Sequence, residues 1–190
     1  MLTPTELGYL ERRRDEAERR LTRTDNYFED FVVGETIVHP RGRTLSDGEH
    51  MMLTNLVLNT AQLHFNQAMC EERPETYFGG RRVVFGGVVL AFVAGLASEE
   101  TTENAIAELS MDEGRHLNPV FAGDTLFAES TVLEKRDATV PDAGIVRFRL
   151  VGKNQRAEVV LQIDREVLVL RRRPLPSAPE GRDDEEQLEE

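Results

Sequence analysis

The spacing of apolar positions changes along the chain, and each spacing predicts a different element. In TPTELGYLERRRDEAERRLTR the apolar stripe is thin: Leu7, Leu10, Ala17 and Leu21, behind Thr3 as N-cap, Pro4 at the first helical position and Glu6 at the capping-box position. This predicts a surface helix within residues 1–25. Between Gly87 and Ala97 the pattern reverses, with no charged residue and apolar groups on every side, which predicts a helix buried all round. Beyond it, AIAELSM, LFAESTVLEKRDA, IVRFRLVG and AEVVLQIDREVLVL read as strands. Turns fall at Gly123 and Asp124, at PDAG (141–144) and at Lys153, Asn154 and Gln155.

Ahead of the apolar helix the pattern is more broken. Tyr27 to Val33 is an aromatic-rich connection, and GETIVHPRGRTLS reads as an extended edge segment because Pro40 cannot donate to a ladder. Ser46 and Glu49 form a capping box before a short helix, HMMLTNLVL, and FNQAMCEE makes a further helical turn stopped by Pro74. NTAQLH, residues 59–64, is then a polar bend between two helical pieces. Phe85, Gly86 and Gly87 read as a flexible lead-in to the apolar helix, whose first N–H groups lack partners and whose dipole favours negative charge. One helix apolar on all sides plus a long antiparallel meander predicts an α+β architecture, a sheet curled around a buried central helix. That shape is the hot-dog fold, whose edge strands commonly pair across a dimer. The predicted organisation is a surface helix over 1–25, a hot-dog domain over 26–173 and a disordered acidic tail over 174–190.

Composition narrows the function classes. The net charge of −12 repels nucleic acid and anionic membranes at long range. Arginine outnumbers lysine 21 to 2, and the Arg runs within 11–14 and 171–173 lie near acids and read as solvated faces. No apolar run approaches the roughly 20 residues of a membrane span and the N-terminus lacks a signal-like apolar region, so a soluble, cytoplasmic protein is expected. The single cysteine, Cys70, excludes an internal disulfide and reads as a small half-buried side chain. No nucleotide-binding glycine loop or metal cluster is apparent, so no metal and no separate cofactor are expected. Of the four histidines, His39 beside Pro40, His50 in the first turn of the short helix and His116 in the loop GRHLNP read as surface or structural. His64 differs: it follows the bend, among polar neighbours that can fix its tautomer.

From about residue 27 to 135 the order of features resembles the MaoC-like hydratase/dehydratase family, best known for R-specific enoyl-CoA hydratases. Its Asp, Pro, apolar, His motif corresponds to Asn59, Gln62, Leu63 and His64; its glycine before a long apolar helix to Gly86 in VVFGGVVLAFVAGLAS; and its Pro, apolar, Phe, x, Gly, Asp turn to Pro119, Val120, Phe121, Gly123 and Asp124. The resemblance implies hydration of an enoyl-CoA thioester or the reverse dehydration. His64 and Asn59 would be catalytic, with the thioester oxygen at the N–H groups of Gly86 and Gly87. Coenzyme A would be part of the substrate, and a homodimer or higher homo-oligomer is expected.

Asn59 departs from the family pattern, because an amide takes no proton at neutral pH. Either it orients water while His64 moves all protons, or a carboxylate comes from elsewhere, or the site has lost catalysis. Asp47 and Glu49 are the nearest acids, with capping the simpler role. Gln62 in place of Pro is expected to loosen the bend. Relatives with this Asn variant resemble hydratases of branched C4 or C5 dicarboxyl-CoA substrates such as mesaconyl-CoA or methylmalyl-CoA. Arg81, Arg82 or Arg115 would then hold the carboxylate, bind coenzyme A phosphates, or simply face solvent. A hot-dog thioesterase is disfavoured by the lack of an acid between Gly87 and Ala97, and a non-catalytic acyl-CoA-binding subunit stays open.

Overall fold

The computed structural model describes residues 26–172. The expected helix over 1–25, the Arg run within 11–14 and the expected tail over 174–190 lie outside the described residues. After a 3₁₀ turn (Phe28–Asp30) come strands β1 (Thr36–Val38) and β2 (Arg43–Thr44). Helix α1 (Asp47–Leu56), a 3₁₀ turn (Gln62–His64), helix α2 (Gln67–Glu72) and helix α3 (Gly86–Thr101) follow. Strands β3 (Ala105–His116), β4 (Thr125–Asp137), β5 (Ala143–Lys153) and β6 (Val159–Leu170) complete the chain. The sheet runs β1-β4-β5-β6-β3 with antiparallel neighbours, and β2 pairs with β4. The meander is therefore β4–β5–β6, and β1 and β2 share an edge strand position, as Pro40 between them demands.

One face of the meander packs on α3. Ala128, Leu150, Val160, Leu161 and Ile163 pack on Val88, Val89, Val93 and Ala97, each large apolar group contributing about 1.5–3 kcal/mol of burial. The helix comes in close at Gly152, where a Cβ would stand 2.6 Å from a Val93 methyl. Farther along the sheet, Phe28 and Phe31 of the N-terminal connection cover Val132, Val146, Phe148, Val167 and Val169. Phe31 meets Phe148 edge-on with ring centroids 5.0 Å apart. On the charged face Arg147 and Arg149 both hold Asp164, and Arg136 grips Glu166 with two 2.9 Å bonds. Hydrogen bonds from Arg149, opposed by burial and reinforced by Arg147, hold the Asp164 carboxyl below its ordinary pKa. This lattice absorbs part of the arginine excess.

Three features depart from the sequence expectations. Helix α3 buries Val88, Val89, Val93, Ala97 and Thr101 but exposes Gly87, Ala91, Gly95, Ser98 and Glu99. Glycine and alanine count as apolar in a pattern yet lose little by facing water, so the pattern could not resolve this face. Ala91, Gly95 and Ser98 line a groove of about 710 Å³ between α3, α1 and residues 40–43. Strand β3 runs past Met111 to His116, its period broken by three register shifts, so His116 ends a strand and is not in a loop. Gly86 and Gly87 are the first residues of α3, with no positive φ, so the lead-in is an ordered first turn.

Candidate active site

The capping box forms as the sequence predicts. The Ser46 hydroxyl accepts from Glu49 N–H, and the Glu49 carboxylate takes the Ser46 N–H at 2.9 Å. These bonds, with Arg43, lower the Glu49 pKa to about 2. Asp47 is occupied by Arg82 at 2.7 Å. Both nearby acids thus serve the start of α1. The helix ends at Leu56, Leu58 turns left-handed at φ 54°, and Asn59 N–H returns to Thr54 O.

Asn59 Oδ1 accepts the Ala61 N–H at 2.8 Å, an Asx turn that leaves Nδ2 without a partner among the described residues. Gln62 opens the 3₁₀ turn, and its Oε1 accepts from Asn66 Nδ2 at 2.6 Å. Asn66 Oδ1 in turn caps α2 through Met69 N–H. Gln62 therefore ties the bend to the next helix, correcting the expectation that it loosens it.

His64 Nδ1 lies 2.8 Å from Val83 O. A carbonyl only accepts, so Nδ1 carries the proton and Nε2 presents a lone pair. The ring also meets Phe85, the N-cap of α3, edge-on at 5.5 Å. Val88 and Val89 N–H both reach back to Phe85 O, so the N–H groups of Gly86 and Gly87 precede the first intrahelical bond. Gly86 is glycine for space: a Cβ there would stand 2.7 Å from His116 Nε2, and one on Gly87 would meet the Phe85 ring at 2.6 Å.

The third motif is a brace. Asp124 accepts from Phe121 N–H and from Gln155, Gly123 turns at φ 93°, and Val120 O receives Val84 N–H at 2.8 Å. His64, Gly86 and Gly87 are thus linked through one run of backbone, Val83 to Phe85, which the turn at 119–124 holds, while the bonds of Asn59 stay within its own bend, to Thr54 O and Ala61 N–H. Arg81 stacks on Phe121 with its guanidinium 3.8 Å from the ring centroid. Arg82 is committed to α1 through Asp47 and Met51. Arg115 is exposed, near Glu113 at 3.5 Å.

Two histidines that read as surface or structural have surroundings that the sequence did not show. His116 packs on Gly86, and the signal that could have found it is its position three residues before Pro119 of the third motif. His50 is fully buried with neither ring nitrogen partnered among the described residues, one turn from Thr54, whose hydroxyl is also unpartnered. Burial first, then Arg82, push the His50 pKa down. His39 is structural as expected: buried, with Glu100 at 2.7 Å and Ser130 at 2.8 Å. Cys70 is fully buried and free. Among the described residues no His, Cys, Asp and Glu group is arranged to hold a metal, and no helix is long and apolar enough to cross a membrane.

A sheet curled on one helix, with an Asn/His bend set against that helix's glycine N-terminus, defines a MaoC-like hot-dog protein. A MaoC domain dehydratase from Chloroflexus aurantiacus superposes with a TM-score of 0.70 at 34% identity, over 79% of this chain and 46% of that one. The family model for mesaconyl-CoA hydratase matches residues 36–171, and the chain belongs to that family. A mesaconyl-CoA hydratase from Cereibacter sphaeroides is 40% identical over 68% of this chain and 35% of its own. A beta-methylmalyl-CoA dehydratase from Chloroflexus aurantiacus is 40% identical over 69% of this chain and 36% of its own. This chain thus spans about a third of the length of those two relatives.

Proposed function

We propose that this chain carries a hydratase/dehydratase site for an enoyl-CoA thioester, with a branched C4–C5 dicarboxyl-CoA as the preferred substrate class. The observation that carries the reading is His64, whose Nδ1–H is fixed on Val83 O so that Nε2 is free beside the first turn of α3. The printed activities of the 40%-identical relatives support the choice of substrate. Water rests against Asn59, whose Nδ2 donates to its oxygen, while His64 Nε2 removes a proton. The oxygen adds to the β-carbon, and the electron pair of the double bond moves through the α-carbon to the thioester oxygen, held by Gly86 N–H. The proton on Nε2 passes to the α-carbon, restoring His64 and completing the net addition of H and OH. The step calls for no metal and no cofactor beyond the coenzyme A of the substrate.

The test is a panel of enoyl-CoA thioesters, including dicarboxylic ones, followed by loss of absorbance at the conjugated bond. His64→Ala is expected to remove hydration with the folded state retained; full turnover by that variant would sink the reading. Asn59 favours one rival, an acyl-CoA-binding subunit without turnover, which detectable hydration by the purified chain would rule out. We place the protein in the cytoplasm as a homo-oligomer, a second copy pairing along the outer edge of β3, where Ile106, Leu109 and Met111 are about half exposed.

A further inference from the structure

We propose that the segment within residues 1–25 docks along α3 as an amphipathic helix, closing the groove between α3, α1 and residues 40–43. The floor of that groove is apolar: Ala91, Phe92, Gly95 and Leu96 from α3, with Met52 and Leu53 from α1. The apolar surface continues past it, because Met52 is 54% exposed and Leu56, one turn on, is 69% exposed. A contiguous surface of this kind marks a docking site. Ala91 and Gly95 stand one turn apart on the exposed side of α3, where their small size lets a second helix come close. The docking calls on neither His64 nor Gly86, so it stands apart from the hydratase reading.

The course of the chain points to this occupant. Where the described residues begin, buried Asn26 donates to Glu99 O and accepts from Asn104 Nδ2, which ties the exit of the N-terminal segment to the C-terminal end of α3. Glu99 itself lines the groove. Leu21 precedes Asn26 by a stretch that reaches at most roughly 18 Å, whereas Gly95 lies one helical turn, about 6 Å, from Glu99. From Leu21 back through Ala17 and Leu10 to Leu7 the predicted apolar stripe runs about 21 Å as a helix, enough to span the roughly 14 Å of α3 between Ala91 and Glu100. The rim carries both signs of charge, Arg41 with Glu99 and Arg43 with Glu49. So do the positions flanking the stripe, among them Glu6, Glu11, Arg14 and Glu18. A second copy is the weaker fit. Residues 40–43 join β1 to β2 at one end of the sheet, and β3, the edge proposed for pairing, lies at the other.

The sequence contains no tryptophan, so one introduced into the full-length chain reports alone. Leu10→Trp and, separately, Leu21→Trp are expected to emit to the blue of N-acetyltryptophanamide and to resist acrylamide quenching. Adding Ala91→Glu or Met52→Glu, both at exposed positions of the groove, is expected to move that emission to the red with cooperative thermal unfolding retained. A blue shift that holds on dilution supports docking within one chain. One that fades on dilution would give the groove to a second copy and overturn the proposal. A blue shift untouched by both groove variants would seat the segment elsewhere and overturn it as well. Solvent-like emission from both reporters would also overturn it, and loss of octanoyl-CoA binding in Ala91→Glu would then assign the groove to an acyl chain.

Discussion

Leu58 stands at φ 54° with its side chain 83% exposed, immediately before Asn59. A left-handed leucine strains the backbone by about 1–2 kcal/mol, and glycine is the usual residue at this point after a helix. Leu58→Gly is therefore expected to raise stability by about 1 kcal/mol once its greater unfolded-state entropy is set against the relieved strain; thermal unfolding checks the direction. His50 predicts a pH effect. Its folded pKa lies below 6.5, so the unfolded chain takes up a proton that the folded chain refuses. Stability is then full above pH 6.5 and falls as the pH drops below it. His50→Phe should flatten that slope between pH 7 and 5, as measured by urea unfolding; an unchanged slope would assign the acid sensitivity elsewhere. The bend that carries His64 was legible because a polar break in a periodic pattern has few structural explanations. His50 and His116 were not, because burial without partners and contact with a glycine are tertiary facts that spacing does not encode.

Among the elements, the capping box at Ser46 and Glu49, the bend at 59–64 and the β4–β5–β6 meander were all readable from local chemistry. Each depends on residues close in sequence or on a two-residue period. The full course of β3 was hidden because three register shifts break its period. The exposed face of α3 was hidden because Gly87, Ala91 and Gly95 give no signal for either side. Gly152 shows how closely helix and sheet are fitted. Gly152→Ala would set a methyl group 2.6 Å from Val93, and overpacking of this kind costs typically 1–3 kcal/mol; a lowered midpoint in denaturant with α3 still folded is the expected result. Ser46→Ala, by contrast, should cost about 1 kcal/mol through the lost cap alone.

For the whole molecule, the sheet among the described residues has β3 as its long edge, while the short β1 and β2 form the other edge beside β4. A long edge with apolar side chains is a pairing surface unless something covers it. Leu109→Lys on that edge is expected to shift the chain toward smaller species in light scattering, with the far-UV spectrum unchanged. The fold class was legible because one apolar helix and a meander admit few packings.

Val83 holds the His64 ring, and three residues later Gly86 offers its N–H. In the reaction proposed above, the separation between proton acceptor and oxygen cradle is thereby set by a short covalent ruler, which the Val84–Val120 bond braces. A lineage that changes its preferred acyl group therefore has little freedom at this ruler. Adaptation has to work around the rim, at side chains that can vary in bulk without altering the spacing between the two ends of the reaction.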